Sequence, residues 1–323
     1  MEIIKKLHKP TPTVVFDTYW KFASERQNIF FNKINGKDVL TKDPILLKHK
    51  FTNVYRATDR VSQYLIKDVI YNKNYSLHDL LFRIILFKIF NKISTWQLFE
   101  SEFGEITIEK FNFKSFSELL LEAKNAGESI YSGAYIMTSG SSIYGYKYKH
   151  ENHLKLIDRE IINSNLIDVL INSGSLKEVY EELLKLPTVG KFLAFQYAID
   201  LNYSPIINFS EMDFVKAGPG ALDGIRKCFS NFGDYSPEDI IKYMAEKQDY
   251  FFEKNQLEFK KIGNRSLQLI DCQNIFCEVD KYSRVAHPEI NGVSNRKRIK
   301  QVYKENKNTI DLFFPPKWNI VKY

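Results

Sequence analysis

The chain has little cysteine, little arginine and no long uninterrupted apolar run. Its 323 residues include three cysteines, too few for a disulfide framework, a four-cysteine zinc site or a four-cysteine iron–sulfur site. The most apolar stretch, residues 80–93, contains three basic side chains, which indicates a buried helix and not a membrane span. The N-terminal segment has no signal-peptide core. Together these absences predict a cytosolic protein.

What the chain does contain is typical of a folded domain with a polyanionic partner. Hydrophobic residues make up 44%, aromatic residues 15% and charged residues 26%, which excludes disordered and fibrous classes. The net charge of +7 favours polyanionic partners, nucleic acid first, but a charge of this size also occurs on ordinary enzymes. Of the 46 basic residues, 36 are Lys and 10 are Arg. Each Arg is therefore a candidate for a position where a planar, bidentate donor matters.

Apolar periodicity near 3.6 residues dominates the sequence and predicts helices. The predicted helices cover 18–33, 53–71, 77–92, 115–126, 153–164, 176–186, 190–201 and 238–247. Strand-like alternation occurs only weakly, at 106–111 and 130–137. We therefore predict a mainly α-helical, multi-helix body that spans 1–323 as one domain. If it divides into two lobes, the seam is expected near 125–150.

The segment Leu186–Ala198 has the form of a helix–hairpin–helix element. A tight turn, Pro187-Thr188-Val189-Gly190, separates two predicted helices, and the second continues through Lys191. A glycine turn that opens a helix presents free backbone N–H groups, which can hold a DNA phosphate without reading the base sequence. The alternative is an ordinary pair of antiparallel helices. The helix–hairpin–helix region is expected over about 176–230.

An acidic residue, Asp213, follows this hairpin by 23 residues. In helix–hairpin–helix DNA glycosylases an acidic residue at about this interval faces a flipped-out base, so this part of the chain is similar to that superfamily. Two departures weaken the similarity. Phe192 stands where lyase-type members carry a nucleophilic Lys, and the C-terminal cysteine cluster of many members is absent. Asp213 could instead cap a helix or pair with Lys216.

Two further groups of polar residues could bind phosphate. On a helix over 53–71, Asn53, Arg56, Arg60 and Gln63 would form one narrow stripe that suits phosphates or a base edge, or else a solvated face. The turn Gly218-Pro219-Gly220 has Lys216 and Arg226 close to it in sequence and could cradle a phosphate.

The third group lies near the C-terminus. Asp280, Lys281 and Arg284 are at helical intervals and could line a pocket. Cys272, Cys277 and His287 lack a fourth metal ligand at usual spacing, which favours buried thiols. The basic run at 295–300 is either a solvated segment or a contact for a nucleic-acid backbone.

With these residues in view, the chain resembles the 5-hydroxymethyluracil DNA kinase family, formerly described as α-glutamyl/putrescinyl thymine pyrophosphorylases. The resemblance covers nearly the whole chain in order. It is carried by Tyr19-Trp20, Glu25-Arg26-Gln27, the block 51–63, Leu186–Gly190, Ala217–Ala221 and the block 273–282. The family is a distant relative of the helix–hairpin–helix glycosylases.

The resemblance implies transfer of a phosphoryl group from ATP or another nucleoside triphosphate to the 5-hydroxymethyl oxygen of a uracil in DNA, for later hypermodification by downstream enzymes. Such chemistry needs a flipped-out base, a proton acceptor and cations. We assign Asp213 as the acceptor, with Asp280 as the alternative base or a Mg²⁺ ligand. The phosphate-binding set is Asn53, Arg56, Arg60, Lys216, Arg226, Lys281 and Arg284. The DNA-binding set is Pro187, Thr188, Val189, Gly190 and Lys191. A base-excision enzyme and a non-catalytic DNA-binding protein remain the alternatives.

Overall fold

The computed structural model describes residues 8–304 and 311–320, and helices dominate them. The mainly helical body predicted from periodicity is confirmed, and six of the eight predicted helices occur within a few residues of their expected bounds. In chain order, the α-helices of the described residues are α1 (Val14–Ile34), α2 (Pro44–Lys48), α3 (Arg60–Tyr64), α4 (Leu77–Phe90), α5 (Ile93–Phe103), α6 (Phe113–Asn125), α7 (Ser141–Tyr144), α8 (Lys149–Leu156), α9 (Leu166–Ile171), α10 (Leu176–Leu184), α11 (Lys191–Leu201), α12 (Pro219–Cys228), α13 (Pro237–Glu246), α14 (Gln248–Lys254) and α15 (Leu269–Ala286).

The one sheet found among the described residues has two very short antiparallel strands, β1 (Thr11–Pro12) and β2 (Phe229–Asn231). Neither was predicted. The two segments with weak strand-like alternation, 106–111 and 130–137, form turns and irregular backbone, so that prediction was wrong. Ile106 and Ile130 are buried there as isolated apolar anchors, which accounts for the misleading pattern.

The predicted helix over 53–71 is also wrong in its first half. Asn53 lies in non-helical backbone, Arg56–Thr58 is one 3₁₀ turn, and only then do α3 and a π-helical turn, Leu65–Ile70, follow. The break has a local cause. Asp59 has extended backbone dihedrals, and its Oδ1 accepts the Asn53 backbone N–H at 2.9 Å. The first backbone N–H groups of a helix have no partner within the helix. Here the Asp59 side chain accepts such an N–H, and the segment forms a turn instead.

The chain divides into two compact units. The first comprises residues 1–59, 214–312 and 319–323, and the second comprises 60–213 and 313–318. The segment 125–150, where the sequence suggested a seam, lies within the second unit.

The first unit is built around the packing of α12 on α15. The two helices approach so closely that a Cβ on Gly224 would lie 2.0 Å from the Phe276 carbonyl oxygen. Only glycine permits that approach without displacing backbone. Helix α1 packs on the same α15, where Tyr19 and Trp20 are fully buried. Cys272 and Cys228 lie in this core, and burial raises the pKa of both thiols, as expected for structural cysteines.

The second unit has α4 at its centre, a helix buried along almost its whole length. Two of its basic side chains are buried and have polar partners. Arg83 donates to the carbonyls of Val69 and Ile106, and the Lys88 Nζ lies 2.9 Å from Asp200 Oδ2. The prediction of a buried helix at 80–93 is confirmed. Across the residues described, no helix combines the length and apolarity needed to cross a membrane.

Candidate functional site

The first unit contains a network of buried charged and amide side chains around Asn53. The Asn53 Nδ2 donates to the Thr58 carbonyl at 2.9 Å, and its Oδ1 accepts from Arg26 Nη2 at 2.5 Å. Burial raises the pKa of Asp59 to about 6, although its hydrogen bond from Asn53 and the Arg26 guanidinium act in the opposite direction. Arg26 was not assigned a site role from the sequence. The rarity of arginine, with ten in the chain, could have marked Arg26 as a candidate.

Arg56 belongs to the same network and is 2% exposed. Its backbone N–H donates to Asp271 Oδ1 at 2.8 Å, and Asp271 Oδ2 accepts the Gln268 N–H that starts α15. One carboxylate therefore joins the 3₁₀ turn to the first turn of α15. Arg56 is a buried residue of the first unit, whereas Arg60 begins α3 in the second unit and is exposed. The predicted single stripe of Asn53, Arg56 and Arg60 along one helix is not formed, because the helix breaks at Asp59.

Lys281 is held by Glu278 one helical turn earlier, with Nζ and Oε2 2.7 Å apart. The same Glu278 oxygen accepts the Thr52 backbone N–H at 2.9 Å. The neighbouring Asn274 donates to the Asn53 carbonyl at 3.0 Å. Helix α15 thus carries the side chains that fix the backbone of residues 52–53.

Asp280 has both carboxylate oxygens bound to cations. Its Oδ1 lies 2.9 Å from Lys227 Nζ, its Oδ2 lies 2.5 Å from Arg284 Nη2, and all three side chains are largely buried. Lys227 also donates to the Asp280 carbonyl at 3.1 Å. A carboxylate engaged in this way is poorly placed to take a proton or to bind a metal. Its evident role is to join α12 to α15.

The other predicted cations of the first unit are closer to the surface. Lys216 forms an ion pair with Glu238 at 3.6 Å, and not with Asp213 as the alternative reading had it. Arg226 is exposed on α12, and its guanidinium lies 5.8 Å from the centre of the Phe232 ring. Among the described residues, no three His, Cys, Asp or Glu side chains are grouped so as to hold a metal ion.

In the second unit, α10 and α11 pack against each other and are joined by the turn 185–190. The residue with left-handed backbone is Thr188, at φ +69°, whereas Gly190 has an ordinary φ of −82° and open space where a Cβ would stand. No side chain caps the N-terminus of α11, and Lys191 is exposed. The turn joins two packed helices, and its assignment as a helix–hairpin–helix element stays a prediction. Its use as a DNA-binding hairpin stays a prediction.

Asp213 is exposed at the end of the second unit's main segment. Its N–H donates to the Ser210 carbonyl at 3.4 Å, within a turn. It does not cap α12, whose N-cap is Gly218. Neither structural explanation for this carboxylate, a helix cap or a pair with Lys216, applies. The predicted site residues therefore divide between the units, with Arg60, Asp213 and residues 187–191 in the second and the remainder in the first.

Comparison with known proteins gives two matches. A family model described as "5-hmdU DNA kinase, helical domain" matches residues 13–292. The 5-hmdU DNA kinase of Bacillus phage SP10 is 29% identical over 292 residues, which cover 84% of this chain and 45% of the relative. The chain thus spans about half the length of that relative. No solved structure matches significantly.

Proposed function

The chain belongs to the 5-hmdU DNA kinase helical-domain family, as its sequence predicted, and from that premise we propose that it acts in phosphorylation of the 5-hydroxymethyl group of 5-hydroxymethyluracil in DNA. The observation that carries the proposal is the family match, which runs from residue 13 to residue 292. The phosphoryl donor is ATP or another nucleoside triphosphate. We propose the cytoplasm of a bacterium or phage-infected host as its location, with downstream hypermodification enzymes as further partners.

In the proposed reaction, the 5-hydroxymethyl oxygen of a flipped-out base attacks the γ-phosphorus. The new C–O–P linkage forms as the bond between the γ-phosphorus and the bridging oxygen breaks, and the nucleoside diphosphate leaves. Asp213 accepts the hydroxyl proton. Its exposure supports this role, as does the fact that it forms no ion pair with any described residue.

The cations divide by exposure. Arg60 and Arg226 are exposed, and Lys216 is half-exposed. All three side chains can therefore reach a phosphate directly. Asn53, Arg56, Lys281 and Arg284 are engaged in contacts within the first unit, which suits positioning of the backbone on which a site is built. Asp280 is not suited to bind Mg²⁺, since both of its carboxylate oxygens are already paired with cations.

DNA contact is proposed for the turn Pro187–Gly190 and Lys191. Because Gly190 has open space around it and an ordinary φ, Gly190→Val is expected to fold. A side chain there would block close approach of a phosphate to the α11 N-terminus. Equal loss of affinity for modified and unmodified DNA would support the contact, since phosphates carry no sequence information. Unchanged affinity would remove it.

The decisive experiment incubates this chain with γ-labelled ATP and DNA that contains 5-hydroxymethyluracil or thymine, followed by nucleoside analysis. We expect label on the modified nucleoside only. Release of free base without nucleotide consumption would identify a base-excision enzyme instead.

DNA binding without turnover is the second candidate function, and it is favoured by the exposed cations of the basic segment 295–300. It would show salt-dependent binding of hydroxymethylated DNA and no label transfer. The same reaction with the full-length phage relative is the positive control for substrate quality.

A further inference from the structure

A cleft of about 590 Å³ opens in the first unit between the end of α12, β2 and the loop after α15. Its lining includes one exposed cation, aromatic carbon and two side-chain amides: Arg226, Phe229, Asn231, Phe232 and Asn291. This volume lies within the usual range of about 300–1,000 Å³ for ligand sites. The phosphoryl-transfer proposal gives a role to Arg226 alone among these residues.

The loop that forms one wall of the cleft is fixed to α12. The Asp223 side chain, 1% exposed, accepts the Ser294 N–H at 2.8 Å and the Ser294 hydroxyl at 2.5 Å. Gly292 packs so closely that a Cβ there would lie 2.8 Å from Asp223 Oδ1. Burial alone would raise the pKa of Asp223, but the hydrogen bonds from this loop and nearby Arg296 lower it. The loop is thus fixed to α12 within the first unit.

A second anchor holds the same segment further along. Arg284 Nη1 donates to the Arg298 carbonyl at 3.1 Å, while its Nη2 binds Asp280, the partner of Lys227 in α12. The buried Lys227–Asp280–Arg284 bridge thereby supports the backbone of the basic segment 295–300. Buried charges placed to hold a surface backbone suggest that the surface itself has a function.

The basic segment presents its charge to solvent. Arg296, Lys297, Arg298 and Lys300 are exposed, and none of them forms an ion pair with a residue that the structure describes. With Arg226, three of the chain's ten arginines lie on this cleft and its adjoining segment. In a chain that otherwise uses Lys, this concentration points to a ligand whose anionic oxygens accept bidentate hydrogen bonds, such as a phosphate.

We propose that the cleft and the segment 295–300 bind single-stranded DNA. Phosphates contact Arg226 and the cations of 295–300, and one unstacked base enters the cleft against Phe232. A cationic track beside an aromatic ring is the arrangement by which proteins bind single strands with little sequence preference. The amides of Asn231 and Asn291 can meet the edge of the base. The identification of DNA as the polyanion rests on the proposed function, but the binding itself requires no nucleotide and no modified base.

The test measures binding of a fluorescein-labelled oligothymidylate to the full chain by anisotropy at several salt concentrations, without ATP. Replacing Arg296, Lys297, Arg298 and Lys300 together by Ser is expected to make the salt slope shallower by about 2–3, since each phosphate contact on a single strand contributes about 0.7. The matched control replaces four exposed lysines elsewhere in the first unit, Lys37, Lys42, Lys247 and Lys254. The proposal fails if both sets change the slope equally.

Phe232→Ala tests whether a base stacks on this ring. We expect roughly tenfold weaker binding of oligothymidylate, the usual scale for loss of one stacked base, and no change for an abasic oligomer of the same length. Phe232→Trp is expected to retain binding, which separates stacking from misfolding, and thermal unfolding checks both variants. Equal competition by poly-L-glutamate, a polyanion without bases, would overturn the proposal. Since the assay uses unmodified DNA, failure of the phosphorylation assay leaves its result intact.

Discussion

Gly224 of α12 lies directly against the backbone of Phe276 in α15, where a Cβ would stand 2.0 Å from the carbonyl oxygen. We expect Gly224→Ala to lower the free energy of unfolding by about 3 kcal/mol, because backbone must move to admit the methyl group. Gly220→Ala on the same helix is the control. Its Cβ would meet the Cys277 Sγ at 3.2 Å, a side-chain contact that can adjust. Urea unfolding of both variants compares them, and equal stability would contradict the close packing.

Asp280→Asn distinguishes a structural from a catalytic carboxylate. It leaves the buried Lys227 and Arg284 without a counter-charge, so we expect a loss of about 3 kcal/mol in unfolding free energy. Glu238→Gln breaks the more exposed pair with Lys216 and should change stability by no more than about 1 kcal/mol. A stable Asp280→Asn protein with abolished turnover would return Asp280 to the catalytic set.

Acid should destabilise the protein in part through His153. Burial lowers the pKa of this imidazole to about 4, while the unfolded chain takes up a proton near 6.5. Its contribution to stability is therefore present above pH 6.5 and lost as the pH falls from 6.5 towards 4. By pH 5 the loss is about 2 kcal/mol.

His153→Gln is the comparison for this pH effect, and its stability should fall less between pH 7 and pH 5 than that of the wild type. The comparison is needed because Asp59, whose pKa is raised to about 6, acts in the opposite direction. Identical pH profiles of unfolding free energy for the two proteins would refute the assignment.

Asp213→Asn should reduce phosphoryl transfer by about 10²-fold or more, the usual scale for loss of a general base. Because Asp213 is exposed and caps no α-helix, the melting temperature should stay near the wild-type value. Single-turnover phosphorylation of hydroxymethylated DNA measures the effect. A near-wild-type rate in this variant would remove Asp213 from the mechanism.

Arg56→Lys and Arg60→Lys should separate a positioning residue from a contact residue. Arg56 is 2% exposed, so its replacement should lower both stability and turnover. Arg60 is exposed, so its replacement should weaken nucleotide or DNA affinity at unchanged stability. Thermal unfolding and titration with each ligand give the two readouts. Full stability of Arg56→Lys together with full activity would leave Arg56 without either role.

Sequence periodicity predicted the helices whose apolar face is evident from their own residues. Helices α4, α10 and α11 each bury a face set by their own residues, and their bounds were predicted within a few positions. The break before α3 was missed because it depends on Asp59 turning its carboxylate to the Asn53 N–H. Strand β2 was missed because its pairing partner lies more than 200 residues earlier in the chain.

The sequence could indicate candidate site residues but not the side chains that they contact in the fold. The rarity of arginine directed attention to Arg56 and Arg284, but their partners, Asp271 and Asp280, are set by long-range packing of α15. Helical spacing placed Asp280 near Lys281 and Arg284 but could not indicate Lys227, which comes from α12. A carboxylate that looks free in the sequence is thus fully engaged in the fold.

The division of the chain into units has a consequence for its synthesis on the ribosome. Residues 60–213 emerge as one continuous stretch and contain almost all of the second unit, so that unit can begin to fold while translation continues. The first unit has to wait, because α1 needs α15 as its partner and the two are separated by more than 200 residues. Until residues 269–286 leave the ribosome, Tyr19 of α1 lacks its contact with the Phe276 ring. Synonymous changes that slow translation near 214–268 should therefore lower the yield of folded protein more than equal delays within 60–213.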